Sequence, residues 1–302
     1  MSDSALIVKR ARELNLALPA FNIPHVPMME SVVRALKDTG TFALIQVARL
    51  EWEKFESKSL EAIRDEYERV KDERFTRLHL DHVPVIDEDN LQVDYLPIIA
   101  RALKAGYGSV MVDGSRLPFE DNVAATKAVI KVAHAVGIPV EAELGAVLGH
   151  EAGPLPPYEE LFASGKGFTK PEDAERFVAE TGVDWLSVSI GNIHGAIAGA
   201  AKSQKKLEAR LDLDRLSIIA QRARVPIVLH GGTGIRPDNL REGIKRGIGK
   251  INIGTAIRLA YENNIAKGAT AAGDAVYAAT VAEIDSLGLR GSAAKIFERK
   301  LA

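Results

Sequence analysis

The 302-residue chain contains no cysteine, which excludes disulfides and thiolate metal sites. It has no run of about 20 apolar residues, so no membrane-spanning helix is expected. An excess of one charge is also missing: 39 Lys and Arg stand against 41 Asp and Glu, a formal net charge of −2. That balance argues against nucleic acid or an anionic membrane as a partner. It does not exclude a small phosphate, because backbone N–H groups bind one without changing the net charge. Residues 1–15 include Asp3, Lys9, Arg10, Arg12 and Glu13 and lack the apolar stretch of a signal peptide. They read as an amphipathic surface helix, and a cytoplasmic location fits.

Short β-rich runs alternate with longer stretches of helical pattern. The expected strands are 18–23, 42–47, 76–81, 109–113, 139–144, 185–190, 226–229 and 250–253. Several are almost continuously apolar, as parallel strands covered on both faces should be. Helices are expected at 28–38, 120–136, 171–181, 213–223 and 238–246. Pro118 and Pro171 fall near helix starts, and Gly137 and Gly182 follow helix ends. Eight β-α alternations in one domain, 1–302, predict a (β/α)8 barrel, with an open doubly wound sheet as the alternative. Two segments break the spacing. Residues 51–74 are highly charged and read as a solvated helical insertion. Residues 146–170, with Gly153-Pro154-Leu155-Pro156-Pro157, read as an active-site loop able to act as a lid.

The C-terminal ends of barrel strands face the active-site mouth, and polar residues gather there: Asn22, Asp81, His82, Asp113, Ser115, Glu141, Glu143, Asn192, His194, His230, Asn252 and Thr255. Three of them, His82, His194 and His230, are histidines that end or follow strands on one face of the expected barrel. Imidazole is the commonest protein ligand for a transition metal, and three ligands with one open position mark a catalytic site. A single strand-end histidine is more often structural, so the argument lies in the coincidence of three. His79 is expected to point away from Asp81, and His134 to lie packed or exposed on a helix. Gly195, Gly231-Gly232 and Gly254 would let backbone N–H groups approach a phosphate at its usual place after strands seven and eight. A lysine Schiff base is the competing chemistry for carbonyl substrates. No lysine ends an expected strand, and Lys250 is expected to begin strand eight on the wrong face.

Ordered motifs carry a resemblance. They are Ala20-Phe21-Asn22, Leu78-His79-Leu80-Asp81-His82, Val112-Asp113-Gly114-Ser115 and Leu117-Pro118-Phe119-Glu120-Asp121-Asn122. Further on come Val140-Glu141-Ala142-Glu143-Leu144-Gly145, Gly167-Phe168-Thr169, Gly191-Asn192-Ile193-His194-Gly195, Leu229-His230-Gly231-Gly232-Thr233-Gly234 and Lys250-Ile251-Asn252-Ile253-Gly254-Thr255. From Leu18 to Ala260 the chain resembles the class II, metal-dependent fructose-bisphosphate and tagatose-bisphosphate aldolases. The resemblance implies a (β/α)8 barrel and a catalytic Zn2+, or another divalent ion such as Co2+ or Mn2+, on His82, His194 and His230. Glu143, with Asp113, would lie near an alternative metal position. Asp81 would be the acid/base at the aldehyde-derived hydroxyl, and Glu151 the acid/base at the donor carbon. Gly195, Gly231, Gly232, Thr233, Gly254 and Thr255 would hold the phosphate of dihydroxyacetone phosphate, beside a Na+ or K+ ion. Asn22 and Asn252 would contact the substrate. The implied partner is a small sugar phosphate, and the implied assembly a homodimer or homotetramer.

The match thins toward the aldehyde half. The family usually has glycine where this chain has Val83, and Gly-Gly where it has Leu148-Gly149 before His150. Many fructose-bisphosphate enzymes have aspartate at the position of Gly254. A serine- and glycine-rich segment that helps hold the distal phosphate is replaced by Gln46-Val47-Ala48-Arg49-Leu50-Glu51-Trp52. Arg49 is the candidate substitute. Fructose 1,6-bisphosphate, cleaved to dihydroxyacetone phosphate and glyceraldehyde 3-phosphate, is the expected substrate. The alternatives are tagatose 1,6-bisphosphate, a ketose 1-phosphate or a phosphorylated sugar acid. Other functions weighed are a non-catalytic barrel subunit and a metal-dependent epimerase or hydrolase.

Overall fold

A computed structural model describes residues 2–145, 158–192 and 209–298. Eight strands form its centre: β1 (Leu18–Asn22), β2 (Ala43–Ala48), β3 (Thr76–Pro84), β4 (Ser109–Asp113), β5 (Val140–Leu144), β6 (Trp185–Val188), β7 (Ile227–Leu229) and β8 (Ile248–Ile253). They pair in parallel in chain order, and β8 returns to β1 to close the barrel. This is the (β/α)8 architecture that the alternation predicts, and an open sheet is excluded. Almost every strand residue is buried, because side chains of one parity enter the barrel and those of the other meet the helices.

The two parities divide the core. Outward-facing Phe21, Ile45, Val47, Leu80, Val112 and Leu186 join the helix-facing core. Inward-facing Leu18, Ala20, Leu44, Trp185 and Val228 plug the lower barrel, with Ile7, Val8 and Ala11 of the helix Ser4–Glu13. The N-terminal amphipathic pattern thus closes the bottom of the barrel. Each large apolar side chain so buried contributes roughly 1.5–3 kcal/mol. The interior is not wholly apolar, since Lys250 enters it beside Leu18 and Val228, and Glu141 beside Trp185.

The charged stretch read as a solvated insertion is two helices, Arg49–Lys54 and Leu60–Val70. The second buries Leu60, Ile63 and Tyr67, so it is the half-buried layer helix after β2 rather than a solvated element. Its charges occupy the outer face, where Arg69 pairs with Glu66 and Glu30. The remaining expected helices appear as Met28–Thr39, Phe119–His134, Pro171–Thr181, Leu213–Ala223 and Pro237–Lys245. Of the expected loop at 146–170, residues 146–157 lie outside the described residues, while Tyr158–Ser164 is helical. No helix of the described residues is long and apolar enough to cross a membrane.

Candidate active site and metal centre

The C-terminal mouth of the barrel collects the polar side chains. Asp81 and His82 are sequence neighbours, which in a regular strand would point to opposite faces. The register between β3 and β4 shifts between Leu80 and Val83, and this irregularity brings both residues to one site. Polar atoms of Asp81, His82 and His230 all lie within 4.8 Å of one another. The rings of His82 and His230 meet edge to face, with centroids 4.5 Å apart.

Asp81 is 1% exposed and accepts hydrogen bonds from three amides. Asn22 Nδ2 donates to Oδ2 at 2.9 Å, Gln46 Nε2 to Oδ2 at 3.1 Å, and Asn252 Nδ2 to Oδ1 at 3.0 Å. The amide of Gln46 also donates to Asn22 Oδ1 at 2.8 Å. Burial opposes ionisation of Asp81. The charges of His82, Lys250, His230 and His79 outweigh it and hold the carboxyl well below the usual carboxylate range. Asp81 is therefore a buried, ionised, oriented acceptor, as a general base must be.

The imidazoles are framed by carboxylates. His82 Nδ1 hydrogen-bonds Asp113 Oδ2 at 3.1 Å and lies 4.0 Å from Glu143 Oε2. Ser115 fixes Asp113 by donating to Oδ1 from its backbone N and its Oγ, at 3.0 and 2.6 Å. His230 Nδ1 lies 3.0 Å from Glu143 Oε2, and its Nε2 donates to Glu141 Oε1 at 2.9 Å. Burial disfavours a charged His82, but Asp81, the bonded Asp113 and Glu143 push it up to about 10. Burial and the neighbouring charge of Asp113 raise the Glu143 carboxyl. So dense a set of nitrogen and carboxylate donors in a buried pocket invites a cation.

The donors fit a divalent metal. They are imidazole nitrogens and carboxylate oxygens, the set borne by zinc in the absence of cysteine. Two ligands about 2.0 Å from one tetrahedral ion stand roughly 3.3 Å apart, a spacing similar to that between His230 and Glu143. His194, Glu151 and Gly195 lie outside the described residues. Asn192, two residues before His194, donates from Nδ2 to the His230 carbonyl at 3.1 Å, tying the segment after β6 to the end of β7.

The glycine candidates cluster beside this centre. Gly231 has φ +73°, and Gly232, Thr233 and Gly234 form a single 3₁₀ turn after β7. A Cβ on Gly232 would lie 2.6 Å from Ile251 Cγ2, so only glycine lets this turn pack against β8. Gly254 precedes the helix Thr255–Glu262, and Ala20 pairs with Asn252 across β1 and β8. Asn22, Asn252, Gly254 and Thr255 therefore lie around one rim. Arg49 follows β2, with Nη1 3.4 Å from Asp87 Oδ2, so its charge already has a partner.

Two expectations about interior residues are overturned. His79 does not point away from Asp81: residues two apart share a strand face, and His79 enters the barrel, where its Nδ1 meets Ser109 Oγ at 2.8 Å. Lys250 is likewise interior, two residues below Asn252 and fully buried. Its ammonium is committed to Glu141 and Asn252, at 2.8 Å each. Sequence reasoning also missed Gln46 and Glu51. Gln46 shares inward parity with Leu44, a signal that alternation could have supplied. Glu51 is 8% exposed and accepts from the Ala48 backbone N at 2.8 Å, a helix-start contact with no strand pattern to flag it.

A closed parallel barrel with a buried carboxylate beside clustered imidazoles at its mouth suits metal-assisted proton-transfer chemistry. Sequence comparison narrows this. The family described as fructose-bisphosphate aldolase class-II matches residues 3–290, and the chain belongs to it. It is thus a class II aldolase, a carbon–carbon lyase. A D-tagatose-1,6-bisphosphate aldolase subunit GatY from Klebsiella oxytoca is 33% identical over 263 residues, 86% of this chain and 84% of that relative. A fructose-bisphosphate aldolase from Streptococcus pyogenes serotype M1 is 33% identical over 259 residues, 85% of this chain and 79% of that relative. Among solved structures, the YdjI aldolase of Escherichia coli K12 aligns with TM-score 0.76 at 24% identity, covering 97% of this chain and 99% of that one. That last likeness concerns the fold alone.

Proposed function

We propose that this aldolase reversibly cleaves a ketose (bis)phosphate to dihydroxyacetone phosphate and an aldehyde, with fructose 1,6-bisphosphate giving glyceraldehyde 3-phosphate as its first candidate substrate. The observation that carries this reading is Asp81: buried, held by three amides, and within 4.8 Å of two imidazoles. Retro-aldol cleavage must remove a proton from a hydroxyl whose pKa is far above neutrality, and a positioned carboxylate does this. Asp81 takes that proton, the oxygen becomes the aldehyde carbonyl, and the carbon–carbon bond pair passes to the donor carbon. Glu151 then returns a proton to that carbon. His82, His230 and His194 would hold zinc, with Co2+ or Mn2+ as substitutes, and Glu143 and Asp113 would lie near a second position. When bound, the ion supplies Lewis-acid stabilisation of the negative charge developing on the donor.

Asn252 and Asn22 would orient donor hydroxyls. Gly195, Gly231, Gly232, Thr233, Gly254 and Thr255 would receive the donor phosphate through backbone N–H groups, helped by the N-terminus of the helix Thr255–Glu262. A Na+ or K+ ion would sit beside the same turn. A homodimer or homotetramer in the cytoplasm completes the reading.

The aldehyde half has a second reading. Arg49 is the cation nearest the end of β2, but it is shared with Asp87, and the serine-rich segment is absent. Tagatose 1,6-bisphosphate, a ketose 1-phosphate or a phosphorylated sugar acid are the alternatives. A cleavage screen of the purified protein over these compounds, read as aldehyde release, decides among them. Cleavage of none would overturn the reading.

A further inference from the structure

The barrel interior carries one charged layer that the reaction above leaves unused. Lys250, Glu141 and His79 stand two residues below Asn252, Glu143 and Asp81 on their strands, and all three are fully buried. Lys250 Nζ bridges two acceptors at 2.8 Å, Asn252 Oδ1 and Glu141 Oε2. A side-chain amide has one acceptor oxygen and one donor nitrogen. With its Oδ1 held from below, Asn252 must present Nδ2 upward, where it donates to Asp81 Oδ1 at 3.0 Å. The second arm runs through Glu141. Its other oxygen accepts from His230 Nε2 at 2.9 Å, which leaves Nδ1 as the ring nitrogen facing Glu143.

Charge balance alone would explain a buried Lys–Glu pair. It would not explain why the ammonium also fixes the amide that holds Asp81 Oδ1. We propose that Lys250 is a positioning residue that orients both the general base, through Asn252, and the His230 ligand, through Glu141. This rests on the roles given above to Asp81 and His230. Without the ammonium, the Asn252 amide is free to flip and turn its oxygen against the Asp81 carboxylate. Glu141 Oε2 is then free to swing toward His79 Nε2, 3.5 Å away, and release His230.

The test uses the full-length Lys250→Met protein and the double variant Lys250→Met/Glu141→Gln. Zinc affinity is read by competition with a chromogenic chelator, and kcat and KM on whichever ketose phosphate the wild type cleaves. Lys250→Met should lower zinc affinity by about 10–100-fold, the usual effect of losing an outer partner of a metal ligand. Its kcat, read at saturating zinc, should fall about 100-fold with a smaller rise in KM, since Asn252 also contacts the donor hydroxyl. In the double variant, the neutral amide introduced by Glu141→Gln still accepts from His230 and needs no counter-charge. Zinc affinity should return to within about fivefold of wild type while kcat stays low, because nothing holds Asn252. Wild-type kcat in the double variant, or wild-type zinc affinity in Lys250→Met, would overturn the proposal. If Lys250→Met does not fold, the split between zinc affinity and kcat in the double variant decides. A wild type that cleaves no ketose phosphate would instead defeat the substrate reading and leave the zinc measurements standing.

Discussion

Asp81 and His82 are consecutive residues that serve one site, because the β3–β4 register shifts just beyond Leu80. One strand irregularity thus places the proposed general base against a proposed metal ligand and lets each charge favour the other. Replacing Asp81 by Asn keeps the hydrogen-bonding size but removes the proton acceptor. Asp81→Asn should lower kcat by about 10²–10⁴-fold, the range of a lost acid–base group, while the protein still binds zinc. Near-normal turnover would remove Asp81 from that role.

Glu51 should give stability a pH dependence in metal-stripped protein. Burial pushes its carboxyl up to about 8, with the Asp81 charge adding to the effect over the opposing pull of the Ala48 N–H. The unfolded chain ionises this group near its ordinary value of 4.5, whereas the folded protein keeps the proton to about 8. The unfolded state therefore binds fewer protons in that window, and stability falls as pH rises through it. Glu51→Gln should lose this slope and melt several degrees above wild type at about pH 8, with the difference vanishing near pH 4.5. Parallel melting curves for the two proteins across that range would contradict the assignment.

Gly232 tests the fit of the turn proposed to hold the donor phosphate. Its missing Cβ leaves room for Ile251 Cγ2, which an alanine methyl would meet at 2.6 Å. Gly232→Ala should cost about 1–3 kcal/mol through overpacking and should weaken donor binding more than turnover. Unchanged melting and unchanged KM would show that the turn has slack.

Arg49 tests the aldehyde half. If it meets a distal phosphate, Arg49→Ala should raise KM for the phosphorylated aldehyde in the condensation direction by tenfold or more, since a charged hydrogen bond contributes about 1.5–3 kcal/mol. Proton exchange at the donor carbon should be unaffected. An unchanged KM would mean that Arg49 serves only its neighbouring carboxylates, Asp87 and Glu53.

Much of this was legible in the residues. Continuous apolar runs such as Leu44 and Ile45 marked the strands, and strand-end polar residues marked the mouth, because burial on both faces leaves only the ends free for polar chemistry. The turn of charge inward at Lys250 was not legible. A lysine in a strand reads as exposed until its partner Glu141, over a hundred residues earlier in the chain, is seen opposite it. Nor was Glu51 legible, since its burial depends on how the short helix Arg49–Lys54 folds over the barrel rim. The charged segment misled for a related reason: the outer face of a half-buried helix supplies most of its charges, and its apolar stripe is narrow.

The central claim, that cleavage depends on a metal held by His82, His230 and His194, is tested most directly by chelation. Protein stripped with a strong chelator should lose cleavage and regain it on addition of zinc or cobalt, and borohydride should trap no substrate adduct. Full activity after complete metal removal, or a borohydride-trapped lysine adduct, would contradict the account.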